Sequence, residues 1–163
     1  MTTEKLRVLS IAHSAIKRSI GRVRYEWLEA GFPEIDLTLV VPDHWQEYGK
    51  AIAIDPPGNK LSIRTLPVRL QAVPFAKWYL HYYPNLGRLI TEIRPNVIHL
   101  WEEPWSLVAL QAARLRNRLL PASALVLETD QNILRRLPVP FEHVRRITSV
   151  SYTHLTLPTK RIV

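Results

Sequence analysis

Short runs of aliphatic and β-branched residues alternate along this chain with stretches whose apolar positions recur at helical spacing. "LRVLSIA" (Leu6 to Ala12) and "IDLTLVV" (Ile35 to Val41, ended by Pro42) predict strands. Between them Ile20, Val23, Trp27 and Leu28 share one predicted helical face, with Gly31 at the C-cap. The stretch from Asp43 to Asn59, with Pro56, Pro57 and Gly58, reads as a long irregular loop carrying at most a short strand at Ala51 to Ile54. "KLSIRTLPV" (Lys60 to Val68) alternates as a strand. Leu86, Leu89, Ile90 and Ile93 mark a helix from about Leu86 to Arg94, stopped by Pro95.

The second half repeats the pattern. "NVIHL" (Asn96 to Leu100) predicts a strand, "SLVALQAARLRNRLL" (Ser106 to Leu120) a helix with Ser106 as N-cap, and "SALVLE" (Ser123 to Glu128) a buried strand. A last helix covers Pro140 to about Ile147. Repeated strand–helix units with continuous apolar strands imply an α/β fold: an open parallel sheet with helices on both faces. Ligands of such sheets bind beyond the carboxyl ends of the strands, which directs attention to three loops.

The first loop, "HSAIKRSIG" (His13 to Gly21), lacks G-x-G-x-x-G, which argues against a nicotinamide dehydrogenase. A helix N-terminus beside His13, Ser14 and Ser19 would suit a phosphate; alternatively Ser14 or Ser19 simply caps the helix. The second loop, "WEEPW", sets Glu102 and Glu103 between Trp101 and Trp105. A carboxylate there could act as a base or bind sugar hydroxyls, and the indoles could stack on a sugar ring. Adjacent residues point in different directions, so one of the two acids should face the cleft; alternatively both favour the positive end of the next helix, with Pro104 starting it. The third loop carries Asp130, Gln131 and Asn132, a polar ring or an ordinary turn. The aromatic cluster from Phe75 to Tyr83 reads as core packing, with an interfacial or acceptor surface as the alternative.

Composition narrows the function classes. The 163 residues include no cysteine, so disulfides and thiolate metal sites are excluded. The histidines at 13, 44, 81, 99 and 143 show no H-x-x-x-H or H-E-x-x-H spacing, so no metal site is expected from the sequence, and His99 reads as a satisfied strand histidine. The N-terminus, with Glu4, Lys5 and Arg7 around a short apolar run, is a poor secretory signal and points to a soluble cytoplasmic chain. The length suggests one domain, too short for a typical two-domain enzyme. The net charge of +8 is spread along the chain, which fits solvated helix faces with a residual preference for anionic ligands.

The segments "RVLSIAHSAI", "VVPDHWQEYGK", "RPNVIHLWEEPWSLVALQAARLRNRL" and "LETDQNILRRLPVPFEHVRR", in this order from Arg7 to Ile147, resemble the N-terminal domain of a family 4 glycosyltransferase, the retaining B-type class. The resemblance implies two facing Rossmann-like domains, this one holding mainly the acceptor and a C-terminal one holding most of the nucleoside-diphosphate sugar. It implies catalytic roles at Glu103 and Asp130 and substrate contacts from His13, Ser14 and Gln131, while the strand-end loops themselves add Glu102, Asn132 and Trp105 as candidate substrate contacts. His13 and Ser14 would approach the sugar diphosphate, and Glu103 would border the acceptor cleft. Many relatives carry a histidine in the turn after the fifth core strand; here Asp130 or Gln131 stands nearby. Such enzymes usually need no metal or other cofactor. The implied partners are the donor and a sugar or lipid-linked acceptor, with peripheral contact at the inner face of the membrane and no nucleic acid.

"VSYTHLTLPT", from Val150, resembles the translation of a transposase library adapter. Residues 1–149 are therefore expected to be the domain and 150–163 an adapter-derived tail, with a genuine final strand as the alternative. Without Lys160 and Arg161 the charge falls from +8 to +6. On this reading the parent protein continues beyond Ser149, and the fragment alone catalyses nothing. Two other classes stay open: a non-catalytic α/β module that binds an anionic ligand, and a basic nucleic-acid-binding domain.

Overall fold

The computed structural model describes residues 4–47, 49–56, 60–71, 78–129 and 136–152. In chain order its elements are β1 (Leu6–Ile11), α1 (Val23–Gly31), β2 (Ile35–Pro42), β3 (Trp45–Glu47), β4 (Lys50–Ile52), β5 (Ser62–Leu66), α2 (Leu86–Ile93), β6 (Val97–Trp101), α3 (Leu107–Leu119), β7 (Ala124–Glu128) and α4 (Val139–Ser149). Five strands pair in parallel in the order β5-β2-β1-β6-β7.

Strand alternation divides the core into two layers. Leu9 and Ile11 of β1, Val40 of β2, Ile98 and Leu100 of β6 and Leu125 of β7 join Leu86, Ile90, Val108 and Ala112 of α2 and α3 in one cluster. Leu37, Leu39 and Val41 of β2, with Ala12 just past β1, pack with Tyr25 of α1 in the other. The protein is an open, Rossmann-like α/β fold. Its strand order reverses between β1 and β6, which creates a crevice beyond their carboxyl ends.

The predicted strands and helices are present within a few residues of their expected limits. Ser106 accepts a hydrogen bond from the Ala109 amide as the N-cap of α3. Pro104 does not start that helix. Arg94, in the left-handed region at φ 49°, closes α2 ahead of Pro95. The loop after β2 contains more order than its prolines suggested, since β3 and β4 form an antiparallel hairpin. At the other end α4 runs to Ser149, and Val150 and Ser151 turn rather than extend. Tyr152 packs against α3, its hydroxyl 3.3 Å from the Ala109 carbonyl; residues 153–163 lie outside the described part.

The face of α1 differs from expectation. Ile20 and Trp27 are 55% and 71% exposed and Leu28 is exposed too, while Gly21, Arg22 and Tyr25 point inward. A π-helical turn, Arg18–Arg22, precedes α1, and in it the Arg22 amide reaches the Lys17 carbonyl. The wider turn puts Ile20 out of phase with α1 when residues are counted at 3.6 per turn, and α1 itself turns Tyr25 inward. Gly31 is the last helical residue, and Phe32 takes the C-cap.

Gly21 has a packing reason to be glycine. A Cβ there would lie 2.5 Å from Cζ3 of Trp101, whose ring is covered by the Arg24 guanidinium at 4.4 Å. Gly21→Ala is expected to cost about 1–3 kcal/mol, the usual range for overpacking, read by urea denaturation.

Some of the basic residues pair with acids: Lys17 meets Asp55, Arg18 meets Glu26, Arg24 meets Glu128, and Arg145 meets Glu142. Among the described residues no helix is long and apolar enough to cross a membrane.

Candidate functional site

The end of β1 and the end of β6 lie side by side at the crevice, and each delivers one ionisable residue. In β6 the alternation that sends Leu100 to the α3 layer also sends Glu102 there, whereas Glu103 falls on the other side with Trp101. The Glu102 amide extends the ladder by bonding to the Glu128 carbonyl at 3.1 Å. Its carboxylate is fully buried and accepts from the His13 amide at 3.1 Å, while the same oxygen lies 2.7 Å from His13 Nδ1.

A third member comes from a distant part of the chain. His81, fully buried, places Nε2 3.7 Å from the same Glu102 oxygen. Gln111 of α3 fixes the adjoining backbone, accepting from the Tyr83 amide at 3.1 Å and donating to the Tyr83 carbonyl at 2.7 Å. The hairpin after β2 supplies a wall: Trp45 stacks on His13 at 4.6 Å and meets His81 edge-on at 5.0 Å, and Tyr83 meets His81 at 5.5 Å. Of the three ionisable residues, His13 alone keeps part of its side chain in solvent, 20%.

Burial and charge oppose each other here. Burial works against a charged imidazole at His13, but the Glu102 carboxylate and, more weakly, Glu47 outweigh it and raise its pKa above 6.5. Burial likewise favours a neutral Glu102, yet His13 and His81 hold its pKa below 4.5. The Tyr83 hydroxyl is pushed well above its usual value by burial, then by Glu102 and Asp43. The result is an oriented imidazole that carries its proton toward a buried carboxylate.

The site residues expected from sequence divide three ways. His13 and Glu102 come together. Glu103 lies apart from them, its carboxylate accepting from the Thr129 hydroxyl at 2.7 Å, which ties the β6 loop to the β7 loop. The two acids do point in different directions, as adjacent strand residues should. Trp105 is buried, and the Trp101 face carries Arg24, so the flanking indoles are not an open stacking pair. Ser14 is half-buried beside His13, and neither Ser14 nor Ser19 caps a helix.

No α-helix begins at His13: a 3-10 turn (His13–Ile16) and the π turn intervene before α1, which removes the phosphate-capping geometry expected of that loop. Asp130, Gln131 and Asn132 lie outside the described residues, as do Phe75 to Lys77 of the aromatic cluster. Of its described members, His81 and Tyr83 are core residues and Tyr79 and Tyr82 are half-buried. His99 is satisfied, 2.8 Å from the Ser10 hydroxyl and 3.2 Å from Glu128.

Sequence reasoning missed His81, Trp45 and Tyr83 as parts of one site. Trp45 was within reach, because it follows the carboxyl end of β2. For His81 the only signal was a histidine among aromatics, which reads equally well as packing. The histidine spacing carries no metal motif, yet folding brings His13, His81 and Glu102 together although 68 and 21 residues separate them in sequence. A shallow apolar hollow lined by Tyr82, Leu107, Leu110, Gln111, Arg114 and Leu115 contains no carboxylate or imidazole. No family model matches the chain, nor does any curated protein or solved structure.

Proposed function

We propose that this domain is the acceptor-side part of a retaining family 4 glycosyltransferase, which passes a sugar from a nucleoside-diphosphate donor to an acceptor hydroxyl. The supporting observation is the position of His13: an imidazole oriented by Glu102 and biased toward its charged form, at the point where the strand order reverses. In an open α/β sheet that crevice receives the ligand, and a cation there complements a diphosphate as negative charge develops on it. Glu103, tied to Thr129, borders the same strand ends and is the carboxylate placed to meet acceptor hydroxyls. The ordered resemblance from Arg7 to Ile147 supplies the reaction type. The absence of G-x-G-x-x-G and the spread of the basic residues along the chain speak against the dehydrogenase and nucleic-acid readings.

In this reading the donor is held mainly by a second domain, and work at a membrane face on a lipid-linked acceptor is one form the activity would take. A protein that extends this chain by such a domain should release nucleoside diphosphate from a panel of UDP-, GDP- and ADP-sugars when acceptor is present. The 163-residue chain alone should release none. Turnover by the chain alone, or no turnover by the extended protein with any donor, would count against the proposal.

A further inference from the structure

We propose that His13, His81 and Glu102 form a binding site for a divalent transition-metal ion of the zinc class. The inference stands on the geometry of the cluster and is independent of the glycosyltransferase reading. Two imidazoles and one carboxylate, from the ends of β1 and β6 and the segment before α2, bring one ligand atom each within 4.8 Å of the other two. Nitrogen and carboxylate donors in this ratio suit zinc and its neighbours, and three protein ligands leave a position for water or an anionic oxygen.

The known separations are close to what a metal requires. Bonds of about 2.0–2.1 Å at tetrahedral angles set ligand atoms roughly 3.3 Å apart. The Glu102 oxygen lies 2.7 Å from His13 Nδ1 and 3.7 Å from His81 Nε2, on either side of that value. Closing the widest pair takes at most about 1.5 Å, within reach of side-chain rotation.

A second observation comes from the carboxylate itself. Oε2 of Glu102 is buried and has no hydrogen-bond partner among the described residues. A carboxylate oxygen kept from water at a cost of roughly 1–3 kcal/mol or more asks for a compensating cation or proton. Trp45 and Tyr83 wall the cluster, so a bound ion would sit in a largely dry setting behind the part-exposed edge of His13.

The test uses the full chain stripped with chelator and titrated with Co2+ as a spectroscopic stand-in, followed by Zn2+. One equivalent of Co2+ is expected to give the visible bands of a four- or five-coordinate ion, and Zn2+ should abolish them. His13→Gln and His81→Gln should each weaken binding by about 100-fold or more, since even outer-shell partners are worth 10–100-fold. His143→Gln, at an exposed position on α4, should leave it unchanged. Zn2+ should raise the Tm of the parent chain and not that of His81→Gln. Absence of Co2+ bands in the parent chain overturns the proposal whatever the variants do, as does a Kd weaker than about 1 mM. Equal affinity in the parent chain and both site variants overturns it as well.

Discussion

Replacing Arg22 with methionine is expected to destabilise the domain by about 4 kcal/mol, since the buried carbonyls of Ala15 and Ile16, left without a donor, cost about 1–3 kcal/mol each. Arg22 is fully buried on the π turn. Its Nε donates to the Ala15 carbonyl at 3.0 Å, Nη2 to Ile16 at 2.8 Å, and Nη1 to Asp55 and Pro56 at 2.7 and 2.8 Å. The guanidinium thus joins the loop after β1 to the segment after β4, two stretches with little regular hydrogen bonding of their own. Methionine fills much of the space and supplies no donor, so the measured loss isolates the hydrogen bonds. Arg22→Lys should recover less than half, because an ammonium cannot span the planar fork. Urea denaturation gives the stability change, and hydrogen exchange at residues 15–18 and at Asp55 should show that opening begins there. A change below about 1 kcal/mol would show that water replaces the guanidinium without penalty.

Arg22 also marks where the sequence stops being legible. Strands declare themselves because β-branched runs alternate layers whatever surrounds them, and α3 does so because Ser106 caps a well-spaced apolar face. The segment from His13 to Arg22 obeys a different constraint: it must bend over the end of β1 to reach α1. Its side chains are chosen by the carbonyls that bend exposes, which periodicity does not encode, so nothing in the spacing marks Arg22 as a buried residue. Trp27 shows the converse, a large apolar residue assigned inward by spacing and left 71% exposed on α1, whose inward face is set by Tyr25.

The site was legible to the same extent and for the same reason. The sheet rule identifies strand ends, so His13, Glu102 and Glu103 could be named from sequence. Which acid meets the histidine depends on the phase of β6 at its last residue, and that phase favours Glu102. His81 arrives through tertiary packing beside Tyr83, whose backbone Gln111 holds across a separation of 28 residues, and no local pattern announces such a contact.

Glu102→Ala is expected to cost about 3 kcal/mol in metal-free buffer near pH 5.5, in line with removal of one partner from a buried charged pair. The truncation leaves the His13 imidazole, stacked under Trp45, without the carboxylate that raises its pKa, and His81 without its charged neighbour. The pH profile distinguishes this pair from a plain packing defect. For His13 the folded pKa is raised above 6.5, so its contribution is complete below about pH 6.5 and fades as pH rises through the folded value. For Glu102 the folded pKa is lowered below 4.5, so its contribution is complete above about pH 4.5 and fades as pH falls through the folded value. The stability difference between the parent chain and Glu102→Gln, which keeps the shape and loses the charge, should therefore be largest between these limits and shrink on both sides. Other acids with lowered pKa values, Glu128 and Asp55 among them, titrate in both proteins and cancel in the difference. Because a cavity costs the same at every pH, a flat difference profile would show that Glu102 acts by packing alone. In that case His13 would lose the charge bias on which its proposed role opposite a diphosphate depends.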